Sequence, residues 1–111
     1  MKLLVAGSRS ITEFDLSPYI LPDVDTIISG GAEGIDSLAE QYADKNSLSK
    51  YILRPCYKKR GRIAPIIRNR EMVDIADCVL IVWDGKSKGT KHTIDYTRKK
   101  GKTLTLIMAE R

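Results

Sequence analysis

Short runs rich in Val, Ile, Leu and Thr alternate with segments of helical period, and this alternation restricts the fold of the chain more than any other feature. The runs cover residues 2–6, 26–29, 51–53, 79–83 and 103–108, each bounded by Gly, Pro, Asp or polar residues. They read as five buried strands. Between the second and third, Ile35, Leu38, Ala39, Tyr42 and Ala43 recur at the spacing of one helix face. Strand and helix in alternation imply an α/β fold, a parallel sheet covered on both sides. A chain of 111 residues can bury one shared core, and no linker, repeat or low-complexity tract interrupts it. The expectation is therefore a single domain over residues 1–111.

The other helices are less regular. Residues 12–21 suggest a short helix, capped by Thr12 with Glu13 and Asp15 in its first turn, although Pro18 and Pro22 interrupt it. A third helix is expected from Pro65 to about Ala76. A fourth is expected from near Thr90 to Gly101, with Arg98, Lys99 and Lys100 opposing the negative end of its dipole.

Charge is unevenly placed. Residues 54–70 hold seven basic and no acidic side chains, and residues 86–102 hold seven basic side chains against Asp95. Fourteen of the nineteen cations thus lie in two stretches, which favours an anionic partner: a phosphorylated small molecule or a nucleic acid backbone. The longest apolar run, residues 78–83, is too short to span a bilayer, and Lys2 leads directly into a strand-like run, unlike a signal peptide. A cytoplasmic protein without a membrane partner is expected. Cys56 and Cys78 lack CxxC spacing and read as reduced thiols, so neither a disulfide, a metal site nor a cofactor is expected.

In open parallel sheets the ligand site lies beyond the carboxyl ends of the strands, where the strand order reverses. Four successive strand exits are glycine-rich, cationic or both: Gly7-Ser8-Arg9, Gly30-Gly31, the basic loop from Pro55 through Lys58-Lys59-Arg60-Gly61-Arg62, and Asp84-Gly85 through Gly89-Thr90. Glycine lets backbone amides approach an anion, and free amides at a helix start donate into the positive dipole end. The first turn lacks the GxGxxG fingerprint, and GxxxxGK[ST] is absent. Met72, Val73, Ile75 and Ala76 define the apolar face of the third helix, and extending that face backward turns Arg68 and Asn69 inward as a ligand clamp. Arg70 and Glu71 fall on the outer side.

With these residues in place, the chain resembles the SLOG superfamily, named for Smf/DprA and the LONELY GUY enzymes, and most closely its small YspA-like subgroup. The likeness covers nearly the whole chain. Gly7-Ser8-Arg9 resembles the Gly-Ser motif after the first strand. The segment Ser29-Gly30-Gly31-Ala32-Glu33-Gly34-Ile35-Asp36 resembles SGGAxGID. Ile67-Arg68-Asn69-Arg70-Glu71-Met72 resembles IRNREM, and Ser87-Lys88-Gly89-Thr90 resembles SxGT. The resemblance implies a Rossmann-like three-layer α/β/α sandwich with strand order 3-2-1-4-5 and a nucleotide-derived ligand across the ends of strands one, two and four. It implies that Gly89 and Thr90 hold phosphate, that Arg68 lines the site, and that a homodimer or higher homo-oligomer forms. The phosphoribohydrolase branch carries a carboxylate where this chain has Thr93, and a lysine where it has Asn69.

The ligand- and phosphate-binding candidates are therefore Gly7, Ser8, Arg9, Ser29, Gly30, Gly31, Gly34, Asp36, Arg68, Asn69, Asp84, Gly89 and Thr90. Asp36 would brace the glycine loop or a ligand hydroxyl. Asp84 and Glu33 are the carboxylates that could serve as catalytic groups in place of the missing one. His92, the only histidine, reads as exposed or near the ligand. Three functions remain open: a sensor or sequestering module for a nucleotide-derived phosphorylated ligand, an N-glycosidic hydrolase or transferase acting on nucleoside monophosphates or NAD-like molecules, and a single-stranded nucleic acid binder related to DprA. Only Tyr51 and Tyr57 could supply stacking surfaces for the third.

Overall fold

The computed structural model describes residues 1–109. Its elements run β1 (Lys2–Gly7), β2 (Thr26–Ser29), α1 (Ile35–Lys45), β3 (Ser49–Ile52), α2 (Tyr57–Arg60), α3 (Ala64–Ile75), β4 (Cys78–Trp83), α4 (Lys88–Lys99) and β5 (Thr103–Met108). All five strands are parallel in the order β3-β2-β1-β4-β5, flanked by the three long helices, a Rossmann-like α/β fold.

The central strands are apolar on both faces because both are covered. Leu3 and Val5 of β1 face one core with Ile27, Leu80 and Val82, against Ile35, Ala39 and Ala43 of α1. Leu4 and Ala6 face the other, with Ile28, Val79 and Ile81, against Met72, Val73 and Ala76 around α3 and Ile94 of α4. The chain adds β2 and β3 on one side of β1, then crosses to β4 and β5 on the other. The strand order thus reverses between β1 and β4, where Gly7 pairs with Val82, and a crevice opens at their carboxyl ends.

Several local expectations are corrected. β3 and β5 are edge strands and only partly buried: β3 exposes Ser49, Lys50 and Tyr51, and β5 exposes Met108 to 58%. Polar and charged residues on a free edge discourage pairing with another chain. Residues 12–21 form no helix beyond a single 3-10 turn at Ser17–Tyr19. Asp15 accepts hydrogen bonds from the Ser17 amide (3.0 Å) and hydroxyl (2.6 Å), holding a local turn, while Ile11, Leu16, Ile20 and Val24 anchor the segment in the α1-side core. Thr12 caps nothing. The basic segment after Pro55 is not a loop: α2 and a 3-10 turn at Gly61–Ile63 run directly into α3. Ile75 stands partly exposed rather than on the buried face of α3. α4 starts two residues before Thr90 because Ser87 caps it, accepting from the Thr90 amide at 3.4 Å.

Among the described residues, no helix is long and apolar enough to cross a membrane.

Candidate functional site

A cavity of about 300 Å³ fills the crevice at the β1–β4 switch point. Gly7 and Arg9 approach it from β1, Ala32 and Asp36 from the glycine segment, and Ser87, Gly89, Thr90 and Thr93 from the start of α4. Pro65, Arg68, Asn69 and Met72 of α3 form the facing wall, and Tyr57 of α2, 60% exposed, stands at the mouth. The structure thus brings Gly7, Arg9, Asp36, Arg68, Asn69, Gly89 and Thr90 together around one space.

Ser8, Ser29, Gly30, Gly31, Gly34 and Asp84 are not in the lining but hold it in place. The Ser8 hydroxyl, 1% exposed, accepts from the Asp84 amide at 3.0 Å, tying the exits of β1 and β4 together. Gly7 and Gly34 are demanded by close approach. A Cβ on Gly7 would clash with the Val82 carbonyl oxygen and with Ile35. Gly34 has φ of +73°, and its Cβ would lie 2.5 Å from the carbonyl oxygens of Ser8 and Arg9. Gly34→Ala is expected to cost about 2 kcal/mol from backbone strain and overlap combined, read as a lower urea midpoint with an unchanged slope.

The glycine segment is a filled nest. The Ala32 amide donates to Asp36 Oδ2 at 3.2 Å, and the Gly31 amide donates to Ser29 Oγ at 3.2 Å. The Asp36 carboxyl therefore occupies the place in this loop where an external anion would otherwise sit. Its carbonyls are also used: Gly30 accepts from Arg68 Nη1 at 2.7 Å and Gly31 from Arg54 Nη1 at 3.0 Å. Arg68 Nε donates to Asn69 Oδ1 at 2.8 Å, so the guanidinium lies between the loop and its neighbour on α3.

Asp36 is only 7% exposed. Burial pushes its carboxyl up to about 6, opposed by the Ala32 amide and the Arg68 charge and assisted by the neighbouring Glu40 carboxylate. Asp84 is the opposite case. The amides of Lys86 (2.8 Å) and Ser87 (2.9 Å) and the Ser10 hydroxyl (2.9 Å) all donate to it, holding its carboxyl far below the ordinary range. An acid ionised so firmly cannot deliver a proton near neutrality, and its geometry is that of a loop brace. Glu33 is exposed and outside the lining.

The free anion-binding capacity lies at α4. The amides of Lys88 and Gly89 in its first turn have no acceptor among the described residues, and space is open beside Gly89. The Ser87 carbonyl accepts from Trp83 Nε1 at 3.0 Å, which fixes this turn against β4. Lys58, Lys59, Arg60 and Arg62 follow Tyr57 in α2 and the 3-10 turn and are exposed. None of these four is in an ion pair among the described residues.

Glu40 and Arg54 were not among the sequence candidates. Glu40 accepts from Ser29 Oγ at 2.8 Å, and its position four residues after Asp36 on α1 was the available signal. Both cysteines are free, and among the described residues no group of three or more His, Cys, Asp or Glu could hold a metal ion.

Fold and cavity together define a Rossmann-like α/β domain with a ligand-sized pocket at its switch point. No protein-family model, no curated protein and no solved structure matches the chain.

Proposed function

We propose that this chain is a SLOG-like module that binds a nucleotide-derived phosphorylated ligand in the switch-point cavity, as a sensor or sequestering protein. The observation that carries the reading is the convergence, around one cavity, of the open first turn of α4 with Arg9 and Arg68. Such a site gives an anion backbone donors, a dipole end and charge-assisted partners together. The exposed cations of residues 58–62, which follow Tyr57 in sequence, add to the positive field that attracts phosphorylated molecules. Thermal unfolding in the presence of nucleoside monophosphates, ADP-ribose-type nucleotides and a single-stranded oligonucleotide tests the reading. A specific nucleotide at 100 times its Kd should add about 2.7 kcal/mol of stability. Stabilisation by the oligonucleotide alone, falling steeply with salt, would instead favour nucleic acid binding.

Asp36 favours a second reading, N-glycosidic cleavage. A carboxyl protonated to about pH 6 in the cavity wall can protonate a departing base as the sugar C1–N bond breaks. Water then adds to the sugar carbon and returns a proton to the carboxylate. Release of free base by the native protein and its loss in Asp36→Asn would establish this activity. A ligand that binds and is recovered intact would leave the sensor reading standing.

A further inference from the structure

A second cavity of about 160 Å³ lies between α3 and α4 and shares Asn69 and Thr93 with the first. The wall between the two chambers is thus built of short polar side chains. Asn69 Oδ1 accepts from Arg68 Nε at 2.8 Å, its amide group has no acceptor among the described residues, and Thr93 Oγ1 donates to the Gly89 carbonyl at 3.2 Å. Beyond this wall the chamber is cationic. Arg70 borders it from α3, and His92 and Lys99 border it from α4. The one carboxylate there, Asp95, is neutralised by Lys91 at 3.0 Å. Neither Arg70 nor Lys99 is in an ion pair among the described residues.

The helix dipole accounts for Lys99, in the last turn of α4, but not for Arg70, in the middle of α3. Arg70 sits over the Tyr96 ring, 5.5 Å from its centroid, and the Tyr96 hydroxyl donates to Asp74 at 2.8 Å, fixing that ring in place. The guanidinium is thereby stationed at the chamber edge, with no hydrogen-bond acceptor or ion pair among the described residues. From His92 to Lys99 the groove follows two turns of α4, about 10 Å, long enough for a linked pair of phosphates.

We propose that this chamber is a second anion subsite, so that the ligand is a nucleotide derivative with two anionic groups: one at the first turn of α4 and one against Arg70, His92 and Lys99. The two-part ligand rests on the nucleotide reading above, whereas the subsite itself is tested without it. His92 is the only histidine, so its ring resonances are assigned without ambiguity. Inorganic pyrophosphate titrated into the full chain should move them along a saturable curve. In the Arg70→Gln/Lys99→Gln variant, both positions being exposed, the affinity read at His92 should fall about ten-fold. In Lys45→Gln, an exposed cation in the last turn of α1 that lines neither cavity, it should stay within about two-fold. A shift that is absent, does not saturate or survives unchanged in the double variant overturns the subsite, as does one weakened equally in Lys45→Gln, which would be reporting overall charge. If pyrophosphate saturates His92 as described but no nucleotide stabilises the protein, the subsite stands and the nucleotide reading falls.

Discussion

Arg68→Met is expected to weaken the proposed nucleotide binding about a hundredfold, the loss that follows when a partly buried, hydrogen-bonded charge is truncated in a binding site. The side chain lines the cavity while Nη1 holds the Gly30 carbonyl and Nε holds Asn69. Its removal therefore takes away a positive charge lining the cavity and slackens both walls that the guanidinium joins. The folding cost should be smaller, about 1–2 kcal/mol, because the group is only half-buried and water can reach the bonds it leaves. Arg68→Lys should recover little of the binding, since one ammonium on a flexible stem cannot span the same acceptors as a planar fork. Calorimetric titration with the nucleotide giving the largest thermal shift, paired with urea unfolding, separates the two effects. Native affinity in Arg68→Met with reduced stability would make Arg68 a structural strut and remove the central support for the site.

The sheet was legible because its signal is carried by continuous apolar runs: β2 and β5 match the sequence reading residue for residue, and β1 and β4 differ by one residue at an end. What failed depends on tertiary context. Leu16 and Ile20 have helical spacing, but both are buried in the core on the α1 side of the sheet, and Asp15 prefers a local turn. The start of α4 was missed because Lys88-Gly89 reads as a turn until Ser87 is seen to cap it. For the site, motif spacing located the right loops but could not tell lining from support. Ser8, Ser29 and Asp84 look like ligand contacts in sequence, yet each spends its hydrogen bonds on neighbouring backbone or on Glu40. The contrast between Asp36 and Asp84 has the same origin, although Asp36 does brace the glycine loop as expected. Both follow glycine-rich or strand-exit signals, and only burial against amide density decides which carboxyl is pushed up and which is held down.

Asp36→Asn is expected to stabilise the protein by about 3 kcal/mol at pH 8, an effect that should vanish near pH 4. The carboxyl rises from an ordinary value of 3.8 to about 6 because burial outweighs the Ala32 amide and the Arg68 charge. Below pH 3.8 the folded and unfolded chains both carry the proton, and the group has no effect on stability. Between 3.8 and about 6 the folded chain keeps a proton that the unfolded chain has released, so stability declines as pH rises. Above about 6 the full cost of the buried charge is present. Asparagine keeps the shape and an acceptor for the Ala32 amide while removing that charge. Urea unfolding of both proteins at several pH values from 4 to 8 should give curves that meet at the acidic end and diverge upward. Parallel curves, or a destabilised variant at pH 8, would mean that the ionised carboxylate is a net contributor to the fold. Under the proposed function, a carboxylate that costs stability in a cavity wall serves the ligand. The same variant should therefore gain stability and lose nucleotide affinity together.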